Sequence, residues 1–591
     1  MTLQLLTHIQ IFFYTACLAA AYAAWGLSER QKNNPPVYSR VAGIVPLFVA
    51  LSAAQLFPLL GLLPYASRQA FSLEDATWYS LPPALLFTVF SPTSFQFPEW
   101  VLYPGAVSLV LAFVAFFGRA RRAAYFWGGV VLFALLYAVG TATPLFPLLH
   151  LIPGFAQLRI PPRIWFIGGY ALTVLAGLGA EAATEEIASR RLRRWRRHVR
   201  RLALIVYGGE AAAIMGLPLI LKAFPWQLAV TLIASLITIG LLAAHARRMR
   251  CIRGRIRSRH LLIGLLVLLL AELAPTAYLY TEPVPISEIL LEPPALSFLR
   301  QQPGLWRVYS SHGELPYAMA ATEGIEAAEG LLALQMGHYV ELIKQASGCT
   351  IKGYGTGVPP CLTAEVDPAA YQQARPQAGL LGLLNVRYVL TSIPYDDPDL
   401  RLVARFGDEG DRPRSWVYEN QRWLPRAFVV FHAQTLPNQA AVLDALSKVD
   451  LARTAVLAES LPDPFAEPSP PGSLPPVTAE VVARSANSLT IRTHLTHLTG
   501  RAQITRPGLL VVSQTWMPGW QAWVDGQPAH VIRVDYALQG VVLPPGEHEV
   551  VLRYQPAGWQ LGWRLSVSTL AVVGVLFVYS VVRYRAPAAP P

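Results

Sequence analysis

Charged residues are scarce in this chain of 591 residues, since Asp, Glu, Lys and Arg together make up only 14%. Soluble domains carry about 25% of such residues, and the mean hydropathy here is +0.37. This composition excludes an ordinary soluble globular protein. It indicates instead a membrane protein with several apolar spans.

Cysteine is also scarce, with four residues that show no zinc-ligand spacing, so the cysteines predict no zinc site. Neither a phosphate-binding glycine loop nor a Ser-His-Asp signature is present in a convincing context. Cys349 and Cys361 lie close together in a segment that we place outside the membrane, where a disulfide is chemically permitted. Spacing alone leaves both a disulfide and two free thiols open.

Arginine is concentrated in short loops, and it gives the chain a net charge of +12. Two arginine-rich runs lie within 190–201 and 247–259, and each follows an apolar stretch. Such loops stay on the cytoplasmic side of a membrane and orient the neighbouring spans. They also attract anionic lipid headgroups. We therefore expect membrane lipid, and no nucleic acid, as the partner of this charge.

Nine stretches are apolar enough to cross the bilayer, which takes about 20 residues of helix for roughly 30 Å of hydrocarbon. They lie near 9–27, 41–63, 101–118, 123–142, 164–181, 202–222, 226–244, 260–279 and 563–582. The basic loops all fall on one side, as the positive-inside rule requires. The sequence thus predicts a multi-pass protein of the cytoplasmic (inner) membrane with a cytoplasmic C-terminus. The outer segments are 64–100, 143–163 and 280–562.

The periodicity changes after the eighth stretch, which predicts a membrane domain of about eight spans over 1–280. Strand-like and helical patterns over 281–460 predict an extracytoplasmic α/β domain, and 461–476 is a proline-rich linker. Alternating residues over 477–558, with a turn signal at Asp525-Gly526, predict an antiparallel β-sandwich. A last transmembrane helix and a tail follow over 559–591.

The outer loops hold the candidate site residues. Arg159 and Arg163 bracket an Ile-Pro-Pro turn and could bind a phosphate in bidentate fashion, or they could extend to lipid headgroups. Glu74, Asp75 and Glu99 are weak candidates for a general base, or for ligands of a divalent metal bound to that phosphate. As isolated acids in a polar loop they could equally be without a catalytic role.

Two acids, Glu210 and Glu272, fall inside apolar stretches. Ionisable groups at such depth usually face the protein interior or a watery cavity, and they are functional candidates for that reason. A transport role would require them to line a path through the bilayer.

The chain resembles the bacterial membrane proteins called YfhO. The resemblance is strongest in SQTWMPGWQAWVDGQPAHVIRVDYALQGVVLPPGEHEVVLRYQP near the C-terminus. Further similarity lies in LLGLLNVRYVLTS, in WVYENQRWLPRAFVV and in TPLFPLLHLIPGFAQLRIPPRIWF. This family is similar to the GT-C class of integral-membrane glycosyltransferases.

The resemblance implies transfer of a sugar from a polyprenyl-phosphate donor to a cell-envelope glycan or a teichoic-acid-like acceptor on the outer face. In the GT-C class the catalytic acid lies in the first outer loop, and the resemblance begins downstream of that region. We therefore expect the family's N-terminal part to be missing from this chain. The alternatives are a non-catalytic envelope scaffold that binds glycan, and a lipid or polysaccharide transporter.

Overall fold

The structure is a computed structural model in which the chain forms two compact units. One, the helical unit, comprises Met1–Phe48 and Ala70–Ile286, and the other, the β-rich unit, comprises Val49–Gln69 and Ser287–Pro591. The structure describes residues 8–30, 36–67, 71–90, 97–184, 226–248, 254–280, 292–311, 313–331, 334–351, 355–362, 374–407, 415–461, 477–494 and 507–585.

Apolar helices dominate the first part of the chain. They are α1 (Ile9–Arg30), α2 (Pro36–Leu62), α3 (Leu73–Thr77), α4 (Ala106–Ala115), α5 (Arg121–Ala138), α6 (Leu145–His150), α7 (Trp165–Thr184), α8 (Trp226–Arg248) and α9 (Gly254–Tyr280). The last residues of α2 belong to the β-rich unit. Short 3₁₀ turns connect several of these helices, including Pro98–Trp100, Phe155–Gln157 and Pro161–Ile164.

Four segments of the described chain are long and apolar enough to cross a membrane: Ile9–Gly26, Val45–Tyr65, Pro161–Thr184 and Trp559–Val582. The chain is thus a membrane protein with several apolar helices, but the prediction of nine spans is wrong for the residues that the structure describes.

The reasons differ from stretch to stretch. Within 101–118 the backbone is extended up to Gly105, which leaves a helix of only 10 residues in α4. The stretches 226–244 and 260–279 are helical, in α8 and α9. In α5 the leading Arg121 and Arg122 lower the mean hydropathy of an 18-residue helix. The stretch 202–222 lies outside the described residues.

Small side chains let α4 and α7 approach closely in the core of the helical unit. Ala112 and Ala115 of α4 pack with Ala171 and Leu175 of α7 in one buried cluster. A Cβ placed on Gly179 would lie 1.8 Å from the carbonyl oxygen of Leu111, so only glycine fits there. Such small residues are typical of helix contacts inside membranes.

The β-rich unit contains six further helices among its described residues. They are α10 (Pro294–Arg300), α11 (Tyr317–Thr322), α12 (Gly337–Ser347), α13 (Ala378–Leu383), α14 (Gln439–Ala445) and α15 (Trp559–Arg585). Its strands are β1 (Arg307–Ser310), β2 (Glu326–Ala327), β3 (Gly330–Leu331), β4 (Gly357–Val358), β5 (Val386–Thr391), β6 (Leu400–Phe406), β7 (Ser415–Asn420), β8 (Ala427–Val430), β9 (His432–Thr435), β10 (Thr454–Leu457), β11 (Val477–Thr478), β12 (Glu480–Ser485), β13 (Ser488–His494), β14 (Gly508–Thr515), β15 (Trp520–Val524), β16 (Gln527–Ala529), β17 (Ile532–Val534), β18 (Leu538–Leu543) and β19 (Glu547–Tyr554).

Three five-stranded sheets organise this unit. The first, in the order β2-β1-β5-β7-β6, pairs β2, β1 and β5 in parallel and adds β7 and β6 antiparallel. The other two, β11-β8-β14-β18-β17 and β12-β13-β19-β15-β16, are antiparallel. Buried side chains from both form one core cluster, as in a β-sandwich.

One strand of the sandwich, β8, lies before residue 460, where the sequence predicts the end of the α/β domain. Strand β8 pairs with β14, for example through Leu510 opposite Val429. The α/β region and the sandwich are therefore joined through a shared strand instead of being separated by the linker. The linker residues 462–476 lie outside the described residues.

Local sequence signals correspond to the observed strands and turns. The patterns at 305–311, 386–392 and 426–432 contain β1, β5 and β8. Asp525 and Gly526 both have positive φ, at 50° and 79°, which is the conformation of a type I′ hairpin turn. Strands β15 and β16 pair across it.

Helix α15 packs against the C-terminal half of α2 within the β-rich unit. The hydroxyl of Ser566 accepts a hydrogen bond from the backbone N–H of Ala54 at 3.0 Å and donates one to the carbonyl of Ala50 at 3.1 Å. A Cβ on Gly562 would lie 2.3 Å from the carbonyl oxygen of Ala53. The backbones of α2 and α15 are thus in close contact at Ala53 and Gly562.

Candidate functional site

The two outer-loop arginines flank a strained turn in the helical unit. Ile160 has a φ of 60° although it is β-branched and precedes proline, a conformation that costs about 1–3 kcal/mol. Its backbone N–H donates to the carbonyl of Ala76 at 3.1 Å, which ties this turn to the first outer loop. Strain of this size persists only where the surrounding structure fixes it, and it is often found at functional sites.

Arg163 and Glu99 form an ion pair between two 3₁₀ turns of the helical unit. The Nε of Arg163 donates to Oε1 of Glu99 at 2.6 Å, and the side chains are 26% and 29% exposed. The second carboxylate oxygen of Glu99 is buried and accepts no hydrogen bond from the described residues. Glu99 is therefore held by one arginine, and its second oxygen has no hydrogen-bond donor among the described residues.

Arg159 lies deeper than Arg163, with only 5% of its surface exposed. Its guanidinium carbon lies 5.9 Å from the centre of the Tyr79 ring, and Tyr79 stacks on Phe97 at 4.6 Å between ring centres. The Nε2 of buried Gln10 donates to the carbonyl oxygen of Arg159 at 2.6 Å. This burial among protein groups does not fit an arginine that extends to lipid headgroups.

The other two outer-loop acids occupy the first turn of α3. The backbone N–H of Asp75 donates to the hydroxyl of Ser72 at 3.0 Å, and that hydroxyl donates to the Asp75 carboxylate at 2.7 Å. Ser72 is thus the N-cap, and acids in a first turn stabilise a helix. Glu74 is exposed. Among the three acids, the structure pairs only Glu99 with a predicted arginine.

Glu272 is buried in α9 and caps the N-terminus of α4. Its Oε1 accepts hydrogen bonds from the N–H of Ala106 at 2.8 Å and from the hydroxyl of Tyr103, and its Oε2 accepts from the N–H of Val107 at 3.4 Å. These are N–H groups that a helix terminus leaves unsatisfied. Glu272 therefore has a structural role in this fold. Glu210 lies outside the described residues.

Two residues that contact Arg159 were not predicted from the sequence. They are Tyr79 and Gln10, as described above. The richness of the two outer loops in aromatic residues was a usable signal for Tyr79. For Gln10, 149 positions before Arg159, the sequence carried no signal.

Cys349 and Cys361 are joined by a disulfide in the β-rich unit, with their Cα atoms 5.9 Å apart. In the part of the chain that the structure describes, no group of three or more His, Cys, Asp or Glu side chains is placed to hold a metal ion.

Comparison with known proteins gives one match. Residues 476–566 match the family model described as bacterial membrane protein YfhO. No curated protein and no solved structure matches the chain. The family match covers the sandwich strands from β11 onward and the start of α15. It confirms, over this C-terminal segment, the resemblance predicted from the sequence.

Proposed function

We propose that this chain is a membrane glycosyltransferase-like protein that transfers a sugar from a polyprenyl-phosphate carrier to a cell-envelope acceptor at the outer face. The observation that carries the proposal is the pairing of Arg163 with Glu99 at 2.6 Å on the turn that also holds Arg159. This arrangement combines cations for a phosphate with an acid for a hydroxyl. The family resemblance supports the same reaction class.

In the proposed reaction an acceptor hydroxyl attacks the anomeric carbon of the donor sugar. A carbon–oxygen bond forms to the acceptor, the bond from the anomeric carbon to the phosphate oxygen breaks, and the lipid phosphate leaves. Glu99 takes the hydroxyl proton through its buried second oxygen. Arg163 stabilises the charge of the leaving phosphate, and Arg159 supports it from the same turn.

The proposed orientation places the arginine-rich loops in the cytoplasm and the sheets of the β-rich unit outside the inner membrane. The disulfide between Cys349 and Cys361 supports it, because disulfides persist in oxidising compartments and are rare in the cytosol. The partners in this arrangement are membrane lipid, the polyprenyl-phosphate sugar donor and an envelope glycan or a teichoic-acid-like acceptor.

Sugar transfer in membrane vesicles tests the proposal. Vesicles with the wild-type chain are supplied with polyprenyl-phosphate-linked labelled glucose, and label in envelope polymer is counted. Replacing Arg159 and Arg163 with alanine together should abolish transfer, and Arg163→Gln alone should reduce it at least tenfold. Arg121→Gln, a change at an exposed arginine of α5, is the matched control and should have no effect. Full transfer by the double variant would reject the phosphate role.

A second candidate function is that of a non-catalytic envelope scaffold that binds glycan. The ion pair between Arg163 and Glu99 favours it, since an ion pair between two segments can serve structure alone. A transporter would need charged residues along its path through the bilayer. Glu272 does not support that alternative, because its carboxylate caps the N-terminus of α4. Glycan binding without any transfer, in the vesicle assay above, would favour the scaffold.

A further inference from the structure

A cavity of about 250 Å³ opens in the β-rich unit. It lies between the start of α13, the residue before β6, the turn after β7 and the segment that follows α14. Pockets for drug-sized ligands measure roughly 300–1,000 Å³. This cavity is smaller and fits a ligand of about one ring.

Buried hydrogen bonds fix the walls of the cavity. Asn420 is fully buried, and its Nδ2 donates to the carbonyls of Ala378 at 2.9 Å and Val386 at 3.0 Å, while its Oδ1 accepts from the N–H of Arg422 at 2.9 Å. A Cβ on Gly382 would lie 2.1 Å from the carbonyl oxygen of Arg422. The turn that carries Arg422 is therefore held rigidly against α13.

The opposite wall is fixed in the same way. The carbonyl oxygen of Asp450 accepts from the N–H of Thr454 at 3.0 Å, and its Oδ1 accepts from the N–H of Ala452 at 3.2 Å. The N–H of Gln421 donates to the carbonyl oxygen of Asp399 at 2.8 Å. A site built on fixed backbone loses little entropy when a ligand binds.

Arg422 and the carboxylates of Asp399 and Asp450 line the cavity, and no hydrogen bond joins Arg422 to Asp399. Nη1 of Arg422 lies 3.9 Å from Oδ2 of Asp399, which is beyond hydrogen-bond distance. Both side chains are about half exposed, at 52% and 44%. Asp450, Gln377 and Ser447 add a carboxylate, an amide and a hydroxyl. Hydrogen-bond donors and acceptors therefore stand side by side at the rim.

Apolar side chains line the rest of the cavity. Leu380, Leu424, Leu446 and Leu451 contribute to it, and all four are at most 9% exposed. A ligand of matching chemistry has an apolar face and a polar edge that both donates and accepts hydrogen bonds.

We propose that this cavity binds one neutral sugar residue of an envelope glycan. Vicinal hydroxyls of a pyranose donate to Asp399 and accept from Arg422 at once, and its C–H face covers the leucines. The carboxylates of Asp399 and Asp450 outnumber the single guanidinium of Arg422, so the cavity repels an anionic ligand. The inference goes beyond the proposed transfer reaction, because a non-catalytic glycan-binding protein would use the same cavity.

The test measures binding of small sugars to the purified full chain in a detergent without a sugar headgroup. Saturation-transfer NMR is run with glucose and N-acetylglucosamine as neutral probes, glucuronate as the anionic probe and glucosamine as the cationic probe. We expect dissociation constants on the order of 1 mM for the neutral sugars. Glucuronate, the anionic probe, should bind at least tenfold more weakly.

Two variants with matched controls locate the binding. Asp399→Asn and Arg422→Met should each weaken binding of the neutral sugars at least tenfold, because each removes a charged hydrogen-bonding group. Asp444→Asn and Lys448→Met change exposed charges on and just after α14 and should bind as the wild type does. Thermal unfolding checks that every variant is folded, and Asp399→Asn alone decides the outcome if Arg422→Met is unstable.

Preferential binding of glucuronate or glucosamine would overturn the proposal, as would wild-type binding by both cavity variants. These outcomes are separate from the vesicle assay. Loss of sugar transfer on replacing Arg159 and Arg163, with neutral-sugar binding intact, would leave this inference standing. Absence of sugar binding, with transfer intact, would remove only this inference.

Discussion

Arg163 and Glu99 are 64 positions apart in the chain, and their side chains meet at 2.6 Å. The contact joins the 3₁₀ turn at Pro161–Ile164 to the one at Pro98–Trp100. Because both side chains are partly exposed, an ion pair of this kind contributes about 0–1 kcal/mol to stability. The importance of this ion pair therefore lies in the two turns that it joins and not in its contribution to stability.

Replacing Glu99 should therefore separate function from stability. Glu99→Gln is expected to change the apparent Tm little and to lower sugar transfer at least tenfold, because the variant keeps a hydrogen-bond acceptor for Arg163 but loses the base. The matched control is Glu323→Gln, which alters the ion pair of Glu323 with Arg300, also at 2.6 Å. Both quantities are measured on the same vesicles. Equal transfer by the two variants would contradict the role of Glu99.

Stability should depend on pH through Glu329, which is buried after β2. Burial raises the pKa of its carboxyl from 4.5 to about 8, and the N–H of Ser310, which donates to Oε1 at 2.9 Å, opposes this in part. The folded chain thus keeps a proton that the unfolded chain releases above pH 4.5. The stabilisation is full below about pH 4.5 and is lost as the pH rises to about 8, by at most about 1.4 kcal/mol per pH unit.

Thermal unfolding at about pH 5.5 and at about pH 8.5 measures this effect. The two conditions span most of the range between the ordinary pKa of 4.5 and the folded-state pKa of about 8. The apparent Tm of the wild type should be lower at the higher pH. Glu329→Gln should reduce that difference, since its side chain is neutral throughout, and buried Asp535, whose pKa is raised by burial to about 7, accounts for a remaining part. Glu480→Gln, at an exposed acid in β12, should leave the difference unchanged. A difference in Glu329→Gln as large as in the wild type would assign the pH dependence to other groups.

The contact of α15 with α2 should depend on one glycine. Gly562→Val is expected to force the helices apart, because a Cβ there would lie 2.3 Å from the carbonyl oxygen of Ala53. Gly574→Val in the same helix is the control, since nothing lies within 4 Å of a Cβ at that position. We expect a lower apparent Tm for Gly562→Val only. Equal effects of the two changes would mean that helix propensity, not packing, sets the result.

The proposed membrane orientation can be tested with single cysteines. In a chain whose free cysteines are replaced, a cysteine introduced as Ser473→Cys should react with a membrane-impermeant reagent in intact cells, and Ser189→Cys should not. The reason is the arginine-rich run that follows Ser189, which is held in the cytoplasm. Labelling at position 189 but not at 473 would invert the topology, and the outer-face transfer reaction would be rejected with it.

The sequence by itself determined the features that depend on neighbouring residues. Apolar runs predicted helices such as α1 and α7, alternation predicted β5 and β14, and Asp525-Gly526 predicted a turn that has the expected positive φ values. Local patterns suffice for these because hydrophobic burial and turn geometry act over a few residues. Counting apolar residues failed at 101–118, where Gly105 ends an extended segment and the helix begins late.

Only the tertiary structure decided which distant groups meet. Glu272 looked like a functional charge within a span, but it caps a helix whose first residue lies 166 positions earlier. Of the candidate acids, Glu99 forms an ion pair with Arg163, whereas Asp75 takes part in the N-cap of its own helix. The cavity at Arg422 arises from segments that folding brings together. Side-chain contacts of this range depend on the path of the whole backbone, and no local pattern in the chain records that path.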